Sequence, residues 1–268
     1  MTRLRFLSPI PLAVLVAIGC GSGRPQDAAA KTDVTRASSS EPIQLAQAPS
    51  EAQPAAGTAS VTGTAKLEGT APKPEPVKMA ADPVCQQQHP APFYHEDVVA
   101  DSQGMLKNVF VYVKQGVSGT FAAPTTPVTL AQTGCWYEPH VLGIQAGQPL
   151  QIVNNDATLH NVNAKPTVNQ PFNVAQPVKG MKTSKTFAKP EVMVRFKCNV
   201  HPWMSAYAGV VEHPFFAVSD EHGAFSIKGL PAGTYVVEAW QEKYGTQTQT
   251  VTVGAGETKS VEFAFKAQ

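Results

Sequence analysis

The sequence predicts an all-β protein with more than one domain. Beyond about residue 57, short runs of Val, Ile, Phe, Tyr and Thr are broken by Gly, Pro, Asn and Asp, which is typical of strands joined by turns. No long stretch repeats its apolar residues with the helical period. A chain of 268 residues with 43% hydrophobic residues can also bury more than one core.

Residues 1–19 have the form of an export signal. Two arginines precede the apolar run Leu12–Ile18, which is too short to span a bilayer and ends in Gly19 before Cys20. Small residues before such a Cys resemble a bacterial lipobox, which would make Cys20 the lipidated first residue of the mature protein. An ordinary signal peptide with an incidental Cys is the alternative. Because no Asp follows Cys20 directly, we expect an exported lipoprotein on the periplasmic face of the outer membrane or at the bacterial cell surface.

Residues 20–57 are predicted to be a disordered linker. Ala, Ser, Gln, Pro and Thr dominate the segment, its charges are scattered, and its apolar residues have no period. Such a composition buries too little apolar surface to offset the entropy lost on ordering.

The rest of the chain divides into three segments. The stretch from Lys114 to Pro127 contains two Gly and two Pro, which mark a long loop or a boundary. Residues 126–212 have the strand order of a small Greek-key sandwich. Residues 58–125 and 213–268 are the remaining two segments.

The loop Phe196–Met204 contains three candidate metal ligands. Cys198, His201 and Met204 lie within seven residues. Thiolate, imidazole and a weak thioether are ligands of type 1 (blue) copper sites, which also need a second His. The best candidate is His160, at the far end of a strand-like run. The alternatives are a buried structural Cys, a core Met, and a zinc site formed by His160, Cys198 and His201.

The four cysteines can be assigned by elimination. With Cys20 lipidated and Cys198 on the metal, Cys85 and Cys135 remain as a pair in an oxidising compartment, where a disulfide is the default. The less favoured alternative is a second metal site that combines these two thiols with neighbouring histidines. Five histidines receive no role and are expected at the surface or in turns: His89, His95, His140, His213 and His222.

The central segment resembles a cupredoxin. Glu138–Leu142, Ala146–Asp156 and His160–Val162 are similar to its N-terminal half, and Cys198–Met204 resembles the short ligand loop of amicyanin. The resemblance implies one type 1 copper ion that cycles between Cu(I) and Cu(II).

The same resemblance implies roles for residues around the copper. His160, Cys198, His201 and Met204 would be the ligands, and Asn161 would fasten the ligand loop. Trp203 and Tyr207, if exposed, would form a face for docking a redox partner; if buried, they would only stiffen the loop.

The C-terminal segment resembles the carboxypeptidase regulatory-like domain, a transthyretin-like β-sandwich. The motifs are Asp220–Phe225 (D-x-x-G-x-F) and Leu230–Tyr235 (L-P-x-G-x-Y), followed by Val251–Val253. Because Ser60–Ala65 and Asn108–Val113 resemble the opening strands of that sandwich, we expect the cupredoxin to be inserted into it. The expectation requires strand 108–113 to share a sheet with residues 216–268.

These observations predict an exported copper protein that carries one electron at a time between a donor and an acceptor protein, anchored to a membrane by lipid. The charge of +1 without basic runs excludes nucleic-acid binding. The sequence has no paired carboxylates suited to acid–base catalysis and no hydrolase motif, so we do not expect an enzyme. The alternative is a binding module for a polymer or a protein, with a vestigial site or one that holds Cu(I).

Overall fold

The computed structural model describes residues 57–267. The predicted signal peptide, Cys20 and the linker up to residue 56 lie outside these residues. The described part contains sixteen strands and one short helix. In chain order they are β1 (Ala59–Glu68), α1 (Pro83–Gln88), β2 (Phe110–Gln115), β3 (Val128–Gln132), β4 (Tyr137–Glu138), β5 (Val141–Gln145), β6 (Pro149–Asn154), β7 (His160–Ala164), β8 (Phe172–Gln176), β9 (Lys182–Thr186), β10 (Glu191–Lys197), β11 (Ser205–Val211), β12 (Phe216–Val218), β13 (Ala224–Leu230), β14 (Gly233–Gln241), β15 (Gly245–Val253) and β16 (Thr258–Lys266). Among residues 57–267, no helix has both the length and the apolar character needed to cross a bilayer.

The first sandwich, called the host below, is built from strands at both ends of the described chain. One sheet has the order β13-β1-β16, with β1 parallel to β16, and the other has the order β12-β2-β14-β15. The strand β2 therefore lies between two strands from the C-terminal segment, as the insertion required. Its core contains Phe263 and Phe265, both fully buried on β16.

The second sandwich, called the insert below, consists of β3 to β11. Its sheets have the orders β5-β11-β10-β7-β8 and β4-β3-β6-β9. The chain leaves the host after β2 and returns to it at β12, so the predicted all-β fold with one sandwich inserted in another is confirmed. The predicted limits of the insert, residues 126 and 212, enclose these nine strands, while the limits of the independently folding units stay predictions.

Helix α1 was not expected from the sequence. Its N-cap is Asp82, whose side chain accepts hydrogen bonds from the backbone N–H groups of Val84 and Cys85, and Pro83 occupies its first turn. An Asp-Pro pair at this position is a favourable start for a helix. The helix has only six residues, which leaves no room for the apolar period that would have predicted it.

Two glycines allow the host to pack closely on the insert. Gly143 on β5 pairs with Gly209 on β11. A Cβ at either position would lie 2.3 Å from an aromatic ring of the host, that of Phe216 or of Phe110 respectively. Real Cβ atoms do not approach rings so closely, so only glycine fits here. The close contact continues into an apolar cluster shared by both sandwiches, which includes Phe110 and Tyr207.

Candidate metal centre

The three strongest candidate ligands are His160, at a strand end, and Cys198 and His201, in the loop after another strand. His160 is the first residue of β7, and Cys198 follows β10 directly. The loop between Cys198 and Met204 is closed by two backbone hydrogen bonds, from Cys198 N to Met204 O at 3.3 Å and from Met204 N to His201 O at 3.0 Å. Because β10 and β11 pair on either side of this loop, its residues are held in a fixed geometry.

The structure brings His160, Cys198 and His201 together in the interior. The two Nδ1 atoms lie 2.9 Å apart, and Cys198 Sγ lies 4.0 Å from His201 Nδ1. One donor atom from each of the three residues lies within 4.8 Å of the other two, and all three side chains are buried. Metal bonds of about 2.0 Å to nitrogen and about 2.3 Å to sulfur would span such separations, so one ion fits. The donor set suits copper by its soft sulfur and imidazoles.

Each histidine is oriented by a carboxylate on its other nitrogen. His160 Nε2 donates to Asp156 Oδ2, and His201 Nε2 donates to Asp82 Oδ2, both at 2.9 Å. A carboxylate can only accept, so each Nε2 carries a hydrogen, and Nδ1 is the nitrogen that can bind a metal once it has lost its own proton. Such outer partners fix the tautomer and the orientation of metal-binding histidines.

Asp156 is itself held rigidly. Its two oxygens accept backbone N–H groups of Gly134 at 2.9 Å and Cys135 at 2.8 Å in addition to the ring of His160. Burial would raise the pKa of this carboxyl, but the hydrogen bond from His160 and the two backbone bonds outweigh it and lower the pKa. Asp156 is therefore an anion at neutral pH.

The thiol of Cys198 is activated by its surroundings. Burial would raise its pKa, but hydrogen bonds from His160 and His201 outweigh burial and lower the pKa to about 5. The backbone N–H of His201 also donates to Sγ at 3.3 Å. Cys198, the only free cysteine in residues 57–267, is therefore a thiolate at neutral pH, the form that binds metals.

Both histidines hold protons more tightly than usual. Burial would lower their pKa values, but the hydrogen bonds to Cys198 and to the respective carboxylate, Asp156 or Asp82, raise both. Since the two Nδ1 atoms are a hydrogen-bond distance apart, a proton and a metal ion would compete for the same space between them.

Asn161 contacts the loop that carries the candidate ligands. Its Oδ1 accepts the backbone N–H of Asn199 at 2.7 Å and lies 3.4 Å from Cys198 Sγ. Its Nδ2 donates to Asn173 Oδ1 at 2.6 Å, which fixes the direction of the amide. The contacts attach the ligand loop to β7, and the functional role of Asn161 stays a prediction.

Met204 is fully buried and belongs to the same core cluster as Cys198. Its backbone groups close the ligand loop, as described above. The role of its sulfur as an axial ligand stays a prediction.

The structure contains the predicted disulfide between Cys85 and Cys135. It joins the host segment that carries α1 to the insert, and it leaves no thiolate for the alternative second metal site. Cys85 Sγ lies 3.5 Å from His201 Nε2, so the bridge is a direct neighbour of the candidate metal centre.

One residue differs from its predicted position. Tyr207 was expected as an exposed docking residue, but it is buried between the two sandwiches, where its hydroxyl donates to Glu242 Oε1 at 2.8 Å. His140 and His213, expected at the surface or in turns, lie in the bends after β4 and β11, and both are buried. His140 contacts Glu242 Oε2 at 2.7 Å across the same interface. The insertion of one sandwich in another covers this face, which no local pattern could show.

Trp203 is half-buried, so its side chain is not fully exposed for docking. Its indole N–H donates to the backbone oxygen of Cys135 at 3.1 Å, and its ring centroid lies 5.0 Å from that of His201. The contacts favour a role in packing the ligand loop against the disulfide.

Sequence reasoning missed both carboxylates. Asp156 could have been found, because it lies four residues before His160 and three residues after the end of a predicted strand, Leu150–Val153. Asp82 carried no such indication, since 119 residues separate it from His201.

Comparisons with solved structures found copper proteins. A copper-containing nitrite reductase from Thermus scotoductus has 27% sequence identity over 37% of this chain and 25% of that one, with a TM-score of 0.29. The chain thus spans about a quarter of that reductase. A methionine-to-glutamine mutant of amicyanin has 22% identity over 31% of this chain and 81% of that one, with a TM-score of 0.28. A purple cupredoxin from Nitrosopumilus maritimus has 19% identity over 31% and 97% of the two chains, with a TM-score of 0.27.

A comparison with curated protein sequences found no match. A comparison with protein families matched the last part of the chain, from within β11 to the end of β16. Residues 209–266 match the carboxypeptidase regulatory-like domain.

Proposed function

We propose that this protein binds one type 1 copper ion and carries single electrons between redox partners outside the cytoplasm. His160, Cys198 and His201 would hold the ion, with Met204 as the weak axial ligand. The observation that carries the proposal is the convergence of two Nδ1 atoms and one thiolate in the interior, with both Nε2 atoms occupied by carboxylates.

The residues around the site favour a carrier over a catalyst. Bound copper would supply a one-electron couple. His160, Cys198 and His201 are almost inaccessible to solvent, and their partners leave them little freedom to move. A closed, rigid site changes little between oxidation states and offers no open position for a substrate.

A docking face next to the ligands supports the carrier role. Leu159 directly precedes His160 and Val200 lies between Cys198 and His201, yet each side chain is 43% exposed. Val178, 61% exposed, follows the end of β8, whose Gln176 pairs with His160. Since β7, β8 and β10 bring these three residues to the ligand end of the insert, we propose that they replace Trp203 and Tyr207 as the apolar docking face.

The proposal extends to the location of the protein. Cys20 would carry the lipid that anchors the chain in the outer membrane or at the cell surface, and the linker would let the two sandwiches reach donor and acceptor proteins. Replacement of Cys20 by Ala should release the protein from the membrane fraction without changing copper binding. A variant that stays in the membrane fraction would contradict the lipid anchor.

Titration with Cu(II) tests the copper proposal. One equivalent should produce an intense visible band from sulfur-to-copper charge transfer, and ascorbate should bleach the band reversibly over repeated cycles. Cys198→Ser should abolish the band, and His160→Ala should abolish or strongly shift it. His222→Ala is the matched control, because His222 is exposed and lies outside the site.

Two outcomes would favour the alternative functions, a zinc site or a binding module. Tight zinc binding without a Cu(II) band would favour the zinc site, and the absence of any stoichiometric metal binding would favour the binding module.

A further inference from the structure

The host closes the Nε2 side of His201. The partners on that side are Asp82 Oδ2 at 2.9 Å and Cys85 Sγ at 3.5 Å. Both residues lie in the host segment that precedes β2, outside the insert. His201 is only 2% exposed, so a segment of the host helps to enclose a proposed ligand that belongs to the insert.

The segment that carries Asp82 is held in place by several contacts. Oδ1 of Asp82 accepts the backbone N–H groups of Val84 at 2.9 Å and Cys85 at 3.2 Å, while Oδ2 remains directed at His201. The backbone N–H of Asp82 donates to the oxygen of Met79 at 2.9 Å, and the side chain of Met79 is buried. The carboxylate is thus oriented before any metal binds.

The disulfide connects the two carboxylates that orient the histidines. Cys85 N donates to Asp82, and Cys135 N donates to Asp156 at 2.8 Å. Each half of the bridge therefore supports the carboxylate that contacts one histidine. One covalent link fixes the distance between Asp82 on the host and Asp156 on the insert.

We infer that Asp82 is a positioning residue for the metal centre and that the Cys85–Cys135 disulfide holds it there. The two together form a clamp that keeps His201 directed at the ion and slows loss of the metal. The inference rests on the proposed function, because the ion is the copper proposed above. It assigns the host a part in the site, in addition to its role as a scaffold for the insert.

The expected effect is large enough to measure. Loss of a group that orients a metal ligand typically lowers metal affinity by about 10-fold to 100-fold. Asp82→Asn keeps the size of the side chain and a good N-cap for α1. The amide offers one acceptor in place of two, so it cannot hold both the helix and the ring of His201.

The experiment measures how fast copper leaves the full chain for a strong chelator. Asp82→Asn and the double variant Cys85→Ser with Cys135→Ser should each release copper about 10-fold faster than wild type, while the charge-transfer band remains. Asp220→Asn is the matched control, because Asp220 also accepts two backbone N–H groups, those of His222 and Ala224, and neither of these hydrogen bonds involves a histidine ring. Equal release rates in all four proteins would overturn the inference.

A second measurement does not depend on copper. Nitrogen NMR of His201 in metal-free protein, at a pH high enough for the ring to be neutral, should show the hydrogen on Nε2 in wild type and a mixture of tautomers in Asp82→Asn. If wild type forms no copper band but the tautomer shifts as expected, the proposed function fails and the positioning role stands. If the band forms and neither the tautomer nor the release rate changes, the positioning role fails alone. Should the double serine variant not fold, Asp82→Asn and the control decide the question.

Discussion

Replacement of Asp156 by Asn removes a carboxylate that accepts three hydrogen bonds beside the site. In the wild type, two oxygens accept three hydrogens, from Gly134 N, Cys135 N and His160 Nε2. In the best orientation the amide oxygen keeps the bonds to Cys135 and His160, and the amide NH₂ faces the N–H of Gly134. The N–H of Gly134 loses its partner, and the negative charge of the carboxylate no longer strengthens the two remaining hydrogen bonds.

We expect Asp156→Asn to lower the free energy of unfolding by about 2 to 4 kcal/mol. The N–H of Gly134 is partly buried, and leaving such a donor without a partner costs about 1 to 3 kcal/mol. The ion pair with His160 adds to this, because removal of one partner of a buried pair leaves the other charge uncompensated.

The loss should depend on pH. The pKa of Asp156 is lowered, so its contribution to stability is fully present above the ordinary value of 3.8 and is lost as pH falls through the lowered value. The pKa of His160 is raised, so its contribution is fully present below the ordinary value of 6.5 and is lost as pH rises through the raised value. Both contributions are complete between these two values, where the difference between wild type and variant should be largest.

Urea unfolding of the metal-free proteins at about pH 5.5 and about pH 9 measures both effects. Asp101→Asn serves as the control, because Asp101 also accepts two backbone N–H groups, in an exposed loop. A loss below about 0.5 kcal/mol, or the same loss at both pH values, would refute the reasoning.

Three further predictions follow from the packing and the ligand set. Gly209→Ala would place a Cβ 2.3 Å from the ring of Phe110, so it should lower the free energy of unfolding by about 1 to 3 kcal/mol in urea titrations. Gly254→Ala, at an exposed turn, should change it little, and equal effects would contradict the packing argument. Met204→Leu removes the thioether donor, so voltammetry should show a higher reduction potential with the visible band retained, and an unchanged potential would exclude the axial role. Copper affinity should fall as pH falls, most steeply below the pKa of about 5 of Cys198, because protons compete for the ligands; a pH-independent affinity between pH 4 and 7 would contradict this assignment.

Much of the fold could be predicted from local sequence. Runs of β-branched and aromatic residues between turn residues marked most strands, and the predicted strands around Val111 and Val128 are present as β2 and β3. The insertion could also be predicted, because two separated segments each carried strands of one sandwich. Helix α1 could not, since a helix of six residues, less than two turns, has no period to detect.

The candidate site was predictable where its residues are close in sequence. Cys198, His201 and Met204 share one loop, and His160 begins β7, which pairs with β10 directly before that loop. The environment of these residues depends on long-range contacts. The interface between host and insert buries Tyr207 and His140, and Asp82 comes from a different sandwich, so neither fact is encoded near the residues concerned.

A crystal structure of the copper-loaded protein, with anomalous diffraction at the copper edge, would show which atoms hold the ion. We expect one anomalous peak bonded to His160 Nδ1, Cys198 Sγ and His201 Nδ1, with Asp156 and Asp82 still on the Nε2 atoms. A peak at any other place, or a copper ion bound through Nε2 of either histidine, would contradict this expectation.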